Sequence, residues 1–172
     1  MKTILTLAAL IGSLFTCAAQ TVIDASKTQI IKQGNAELTA YQGKPYTGVV
    51  TEAYADGKPK SWKSVKEGFT EGLWQEWHPN GKLKYNAYWK AGKGHGLWQY
   101  FHENGLLKYE ESYLMDIPNG ISRAYHENGK LKDDNFFLAG KKQGVWSSFS
   151  ETGVLQKMEM WEDGQIVSPF KN

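Results

Sequence analysis

Three columns of side chains that could do chemistry recur every 24 residues. His78, His102 and His126 form the first. Imidazole is the commonest protein ligand for transition metals, so a histidine column raises a metal site. Equivalent residues of successive hairpins stand two strands apart, roughly 9.6 Å, whereas zinc holds its nitrogens at about 2.0–2.1 Å. Three such histidines cannot share one ion. Each precedes an Asn-Gly step by one residue, and the column reads as polar residues entering turns. No metal and no cofactor are expected.

The second column, Lys60, Lys84, Lys108 and Lys132, could hold acidic sugars or anionic lipid. It also reads as a solvated row partly paired with Glu52 and Glu76, and exposed pairs contribute little. The third is a tryptophan row, Trp74, Trp98 and Trp146, interrupted by Ser122. Exposed apolar area of this kind marks contact surfaces. Tyr88 and Phe136 are expected to extend it, with Lys84 and Lys108 beside it. No Ser/His/Asp or Cys/His set occurs at recognisable spacing, so the expectation is a chain that is not an enzyme.

Tandem hairpins must position these columns. Gly48, Gly72, Gly96, Gly120 and Gly144 are 24 residues apart, and so are Gly57, Gly81, Gly105, Gly129 and Gly153. The residues before the second set include Asp56, Asn80, Asn104 and Asn128, and Asn-Gly or Asp-Gly between aromatic runs is a strong hairpin signal. A three-residue loop such as Glu103-Asn104-Gly105 sets Phe101 opposite Leu107 and Glu76 opposite Lys84, both favourable cross-strand pairs. It predicts a type I turn with glycine in the left-handed region. The units are 48–71, 72–95, 96–119, 120–143 and 144–167. Residues 20–47 read as a degenerate leading hairpin that caps one edge, and 168–172 as a tail.

Strand alternation assigns faces. One is expected to carry Val49, Leu73, Leu97, Ile121 and Val145, together with Trp77, Phe101, Leu83, Leu107 and the Trp89 column. That face is expected to be the structural core. The tryptophan row and the lysines fall on the other, the expected contact surface. A single layer cannot bury both faces against itself, so a partner, curling, self-association or a ligand must cover one.

The unit Gly96 to Lys108, Gly-Leu-Trp-Gln-Tyr-Phe-His-Glu-Asn-Gly-Leu-Leu-Lys, resembles the MORN-type repeat variant. That resemblance implies an all-β fold: an elongated single-layer antiparallel β-meander, one hairpin per repeat. Bacterial proteins of this make-up are often labelled antitoxins of the YwqK type, and MORN proteins elsewhere are implied to be scaffolds. The family offers no catalytic motif to carry over.

Residues 1–19 read as a secretory signal. Lys2 precedes the apolar stretch from Ile4 to Phe15, which is too short to span a bilayer, and cleavage is expected after Ala19. The alternative is a lipoprotein anchored through Cys17. Simple cleavage removes the one cysteine and leaves no thiol chemistry. A net charge of +2 leaves no electrostatic case for nucleic acid. The expectation is an exported, periplasmic or extracellular module that binds a protein, with an immunity-like role as its narrower form. A wall- or carbohydrate-binding module and a purely structural envelope protein are the alternatives.

Overall fold

The computed structural model describes residues 20–169, so residues 1–19, read above as a secretory signal, and Cys17 lie outside the described residues. The chain is all-β. After a short β1 (Val22–Asp24) and a single 3-10 turn come β2 (Thr28–Gln33), β3 (Ala36–Tyr41) and β4 (Lys44–Pro45). The repeats supply β5 (Gly48–Ala53), β6 (Pro59–Lys66), β7 (Phe69–Trp77), β8 (Leu83–Lys90), β9 (Lys93–Phe101) and β10 (Leu107–Leu114). They continue through β11 (Ile117–Tyr125), β12 (Leu131–Leu138), β13 (Lys141–Lys142), β14 (Gly144–Phe149), β15 (Leu155–Glu162) and β16 (Gln165–Pro169).

From β5 to β16 the strands pair antiparallel in chain order in one open sheet whose edges are β1 and β16, except that β12 pairs with both the short β13 and β14. Within each unit the Asn-Gly hairpin has the three-residue loop expected from its side chains. The Gly105 amide donates to the His102 carbonyl at 2.8 Å, and the His102 amide to the Leu106 carbonyl at 2.9 Å. Gly105 has φ +88°, the left-handed value that glycine tolerates. Between units the connections are two-residue turns with both residues at positive φ, such as Ala91 (49°) and Gly92 (74°). Such turns twist with the strands. In the one turn without glycine, Asp116 holds φ 71°, and its carboxylate accepts from the Gly94 amide at 2.6 Å.

The N-terminal stretch does not extend the meander in register. β2, β3 and β4 form a separate three-stranded sheet, and the meander's first edge is taken by β1, paired in parallel with β5. The Thr39 amide donates to the Gly68 carbonyl, and the Gly68 amide to the Tyr46 carbonyl, both at 2.8 Å. These bonds clamp the small sheet to the first inter-unit turn. Leu38 and Ala40 are buried there, and Ile23, Tyr46, Val50 and Val65 form a compact apolar cluster with Ala25 and Tyr41 against it.

Candidate functional site

The two faces differ from the expected assignment because each hairpin carries a β-bulge. In β8, Trp77 faces Leu83, as the turn geometry requires, but Glu76 faces Tyr85 and not Lys84. Lys84 is the extra residue. The same irregularity follows Leu107 and recurs in the other units. One added residue inverts the facing of everything beyond it. Trp89 therefore lies on the face of Trp74, whereas Tyr88 faces Leu73 and Phe136 faces Ile121 on the opposite side. Tyr88 and Phe136 do not extend the tryptophan row.

The row is longer for it. Trp74, Trp89, Trp98 and Tyr113 follow one another on β7 to β10, with ring centroids 5.6, 4.6 and 4.7 Å apart. After Ser122 it resumes with Phe137, Trp146 and Trp161, at 5.1 and 5.9 Å. Rings at these spacings and tilts face their neighbours along the sheet and are worth more than their buried area. The indole N–H of Trp98 donates to the Tyr88 carbonyl at 3.0 Å, and that of Trp146 to the Phe136 carbonyl at 3.1 Å. The indole nitrogens of Trp74 and Trp89 are buried and have no partner.

A parallel row of tyrosines runs alongside. Tyr85 stands edge-on to Trp74 and to Trp98 and lies 4.8 Å from Tyr100. Burial pushes the hydroxyls of Tyr85 and Tyr100 above the usual tyrosine range. Tyr109 is pushed up to about 12, chiefly by burial, and bonds Ser122 at 3.1 Å. At the Ser122 interruption the Tyr113 hydroxyl donates to the buried Glu111 carboxylate, closing that gap with a polar contact. At the start of the row Lys63 lies 5.3 Å from the Trp74 ring centre, and burial lowers the pKa of its ammonium.

Trp74, Glu76, Lys84, Tyr85, Trp89, Trp98 and Tyr100 line an open depression of about 350 Å³. Lys84 bonds Glu76 at 3.1 Å. Lys108 lies elsewhere, beside His102 and Asn104 at the turn end of the sheet.

The opposite face is not the core. Leu97, Val145 and Leu155 are exposed there, as are Tyr88 and Phe136. Along its middle runs a polar ladder that the aromatic pattern hides. Gln75 donates to Asn86 at 3.2 Å, Asn86 and Gln99 continue through longer contacts to Glu110, and Arg123 bonds Asp134 at 2.7 Å. The buried cluster of Ile23, Val50 and Val65 lies on the tryptophan face, by the register that pairs Val50 with Lys63 and Lys63 with Trp74.

The histidines join units. Nε2 of His78, His102 and His126 contacts the carbonyls of Phe101, Tyr125 and Phe149 at 3.0, 3.3 and 2.9 Å. A carbonyl only accepts, so Nε2 carries the proton. Asn80, Asn104 and Asn128 donate in the same sense to the carbonyls of Glu103, Glu127 and Glu151.

An open sheet of tandem hairpins with one aromatic face defines a repeat protein with an extended lateral surface. The family model described as the MORN repeat variant matches residues 70–91, 94–114 and 118–137, the units built from β7 to β12. The flanking units continue the same hairpin beyond the match. No curated protein matches the chain.

Proposed function

We propose that this chain is a non-catalytic, exported repeat protein that binds another protein through its tryptophan face. One observation carries the reading. The chain covers the first strands of that face itself, with Ala25, Tyr41 and Tyr46 packed on Ile23, Val50 and Val65. From Trp74 to Trp161 the same face has no such cover among the described residues. A partner that continues the N-terminal cover along the row removes this apolar surface from water. The opposite face has a polar ladder along its middle, with Tyr88, Leu97, Phe136, Val145 and Leu155 exposed beside it. The MORN-variant match in the central units supports a binding or scaffold role, since such repeats serve widely as protein- and membrane-binding modules. Immunity to a toxin met outside the cytoplasm is the narrower form of the same role.

The ring geometry favours protein over glycan. Sugar stacking needs a ring face turned to solvent, and these rings turn their faces toward one another. Residues 20–172, immobilised and exposed to cell-envelope extract, should retain a protein. Trp98→Ala and Trp146→Ala should lower retention about tenfold or more, as loss of a buried aromatic anchor does. Leu97→Ala, on the other face, should leave it unchanged. Sedimentation with isolated cell wall, abolished by Trp98→Ala, would instead establish the carbohydrate reading.

A further inference from the structure

We propose that Lys63 is the ammonium on which the bound protein seats a carboxylate, at the seam where the N-terminal cover ends and the tryptophan row begins. The inference rests on the protein-binding reading above and names the chemistry of one contact within it.

Lys63 stands on β6 between Val50 of β5 and Trp74 of β7, the last covered residue and the first ring of the row. It opens into a depression of about 220 Å³ whose lining includes Ala25 and Thr28 of the N-terminal cover, with Glu52, Lys60 and Glu76. Both carboxylates there are engaged by other lysines. Lys60 bonds Glu52 at 2.7 Å, and Lys84 bonds Glu76 at 3.1 Å. Three ammoniums therefore share two carboxylates, and Lys63 is the one left over. Its ammonium makes no ion pair among the described residues and lies 5.3 Å from the Trp74 ring centre. Burial lowers its pKa with no carboxylate to offset the shift.

The repeat shows that the fold does not ask for this cation. The equivalent positions of later units hold Ala87, Glu111, Asn135 and Glu159. Ala87 stands opposite Trp98 as Lys63 stands opposite Trp74, so a methyl group suffices there. The charged members of the column are satisfied within the chain. Glu111 accepts from the Tyr113 hydroxyl, and Glu159 pairs with Lys157 at 2.7 Å. Lys63 alone has no counter-charge of its own. A partner that continues the cover from Ala25 and Thr28 onto Trp74 must pass over it and strip its water. Burying an unpaired cation is strongly unfavourable, whereas a carboxylate seated on it restores the balance. The Trp74 ring on the other side strengthens the site once water is gone.

Carbodiimide cross-linking of residues 20–172 bound to the captured envelope protein reads the contact directly. The reagent activates a carboxylate, and an amine touching it forms an amide and releases the urea. Mass spectrometry should find Lys63 joined to an Asp, Glu or C-terminal carboxyl of the partner, with Lys60–Glu52 links as the internal control. Links from Lys63 to Glu52 or Glu76 alone would overturn the proposal. Lys63→Met should weaken binding at least about thirtyfold, because it leaves the partner's carboxylate buried without a cation, and Lys63→Arg should recover most of the loss. Without a carboxylate opposite, methionine spares the cost of dehydrating an ammonium, so equal or tighter binding by Lys63→Met would overturn it. The peptides acetyl-Leu-Glu-Leu-amide and acetyl-Leu-Gln-Leu-amide pose the question without the partner, followed at the Trp74 indole N–H of the 15N-labelled chain. The glutamate peptide should bind about three- to tenfold more tightly, and Lys63→Met should abolish the difference. Equal binding of the two peptides, or a preference that survives Lys63→Met, would overturn the proposal. Phosphatidylglycerol vesicles that need Lys63, with no preference for the glutamate peptide, would assign the anion to lipid and overturn it too. Envelope-protein capture that needs Trp98 but ignores Lys63→Met would sink this inference and leave the protein-binding reading standing. A Lys63-dependent preference for glutamate without any protein capture would do the reverse.

Discussion

Gly68 and Gly81 have nearly the same backbone, φ +85° and +82°, but different surroundings. Alanine at either position meets the left-handed penalty of roughly 1–2 kcal/mol. At Gly81 nothing lies within 4 Å of the new Cβ, so that penalty is the whole cost. At Gly68 the Cβ would stand 2.7 Å from Leu38 Cβ and 3.2 Å from the Thr39 carbonyl oxygen. Leu38 is only 1% exposed and cannot swing aside. β3 must therefore retreat by about 1 Å, an overpacking strain of roughly 1–3 kcal/mol. That movement also loosens the Thr39–Gly68 and Gly68–Tyr46 bonds, each worth about 0.5–1.5 kcal/mol net. Gly68→Ala should accordingly cost about 2–4 kcal/mol more than Gly81→Ala. Urea unfolding followed by tryptophan fluorescence reads this difference directly. Hydrogen exchange should show β2 and β3 amides deprotected in Gly68→Ala alone. Equal destabilisation of the two variants, or unchanged protection of β3, would refute the clamp between the small sheet and the first inter-unit turn.

Further predictions follow from the turns, the ladders and the tyrosines. Gly105→Val forces a β-branched residue to φ +88° and should cost about 2 kcal/mol or more, and an unchanged melting temperature would contradict the three-residue loop. Asn104→Ala removes the bond from its amide to the Glu127 carbonyl and the one its oxygen accepts from the Leu106 amide, for a loss of about 1–2 kcal/mol by chemical denaturation. Tyr109 and Tyr125 are pushed up to about 12 by burial, Tyr125 also by its bond to Glu110. A raised folded-state value favours the neutral phenol, so this stability is complete below about pH 10 and lost as pH rises toward 12. Urea midpoints should fall between pH 9.5 and about 11.5, less steeply in Tyr109→Phe. Arg123→Met strips Asp134 and the buried Glu110 of their cation and should cost about 1–3 kcal/mol, read as a lower melting temperature.

The repeat, its length and its turn chemistry were legible because they depend on local rules. Gly105 after Asn104 admits few turns, and Phe101 opposite Leu107 followed from loop length alone. The bulge was not legible. Lys84 looks like any solvent-facing strand residue, and nothing in its type reveals that no residue of β7 stands opposite it. That one residue moved Trp89 onto the face of Trp74 and removed Tyr88 and Phe136 from it. The polar ladder was hidden for a related reason. Gln75, Asn86 and Gln99 are unremarkable singly, and their meaning appears only when the inter-unit register brings them together. The histidines read as polar residues entering turns, but their bonds to the next unit's carbonyls require the distance between units. The N-terminal hairpin was visible in Gly34-Asn35 and its flanks. Its docking on Gly68, and the parallel placement of β1, depend on tertiary contacts with no local signal.

The central claim is that the tryptophan face is the surface covered by a protein partner. Hydroxyl-radical footprinting of the chain, alone and bound to the captured envelope protein, separates the two faces residue by residue. Trp89, Trp98 and Trp146 should become protected on binding, while Tyr88, Leu97 and Phe136 should react as in the free chain. Protection of Tyr88, Leu97 and Phe136 with Trp98 and Trp146 unchanged would contradict it.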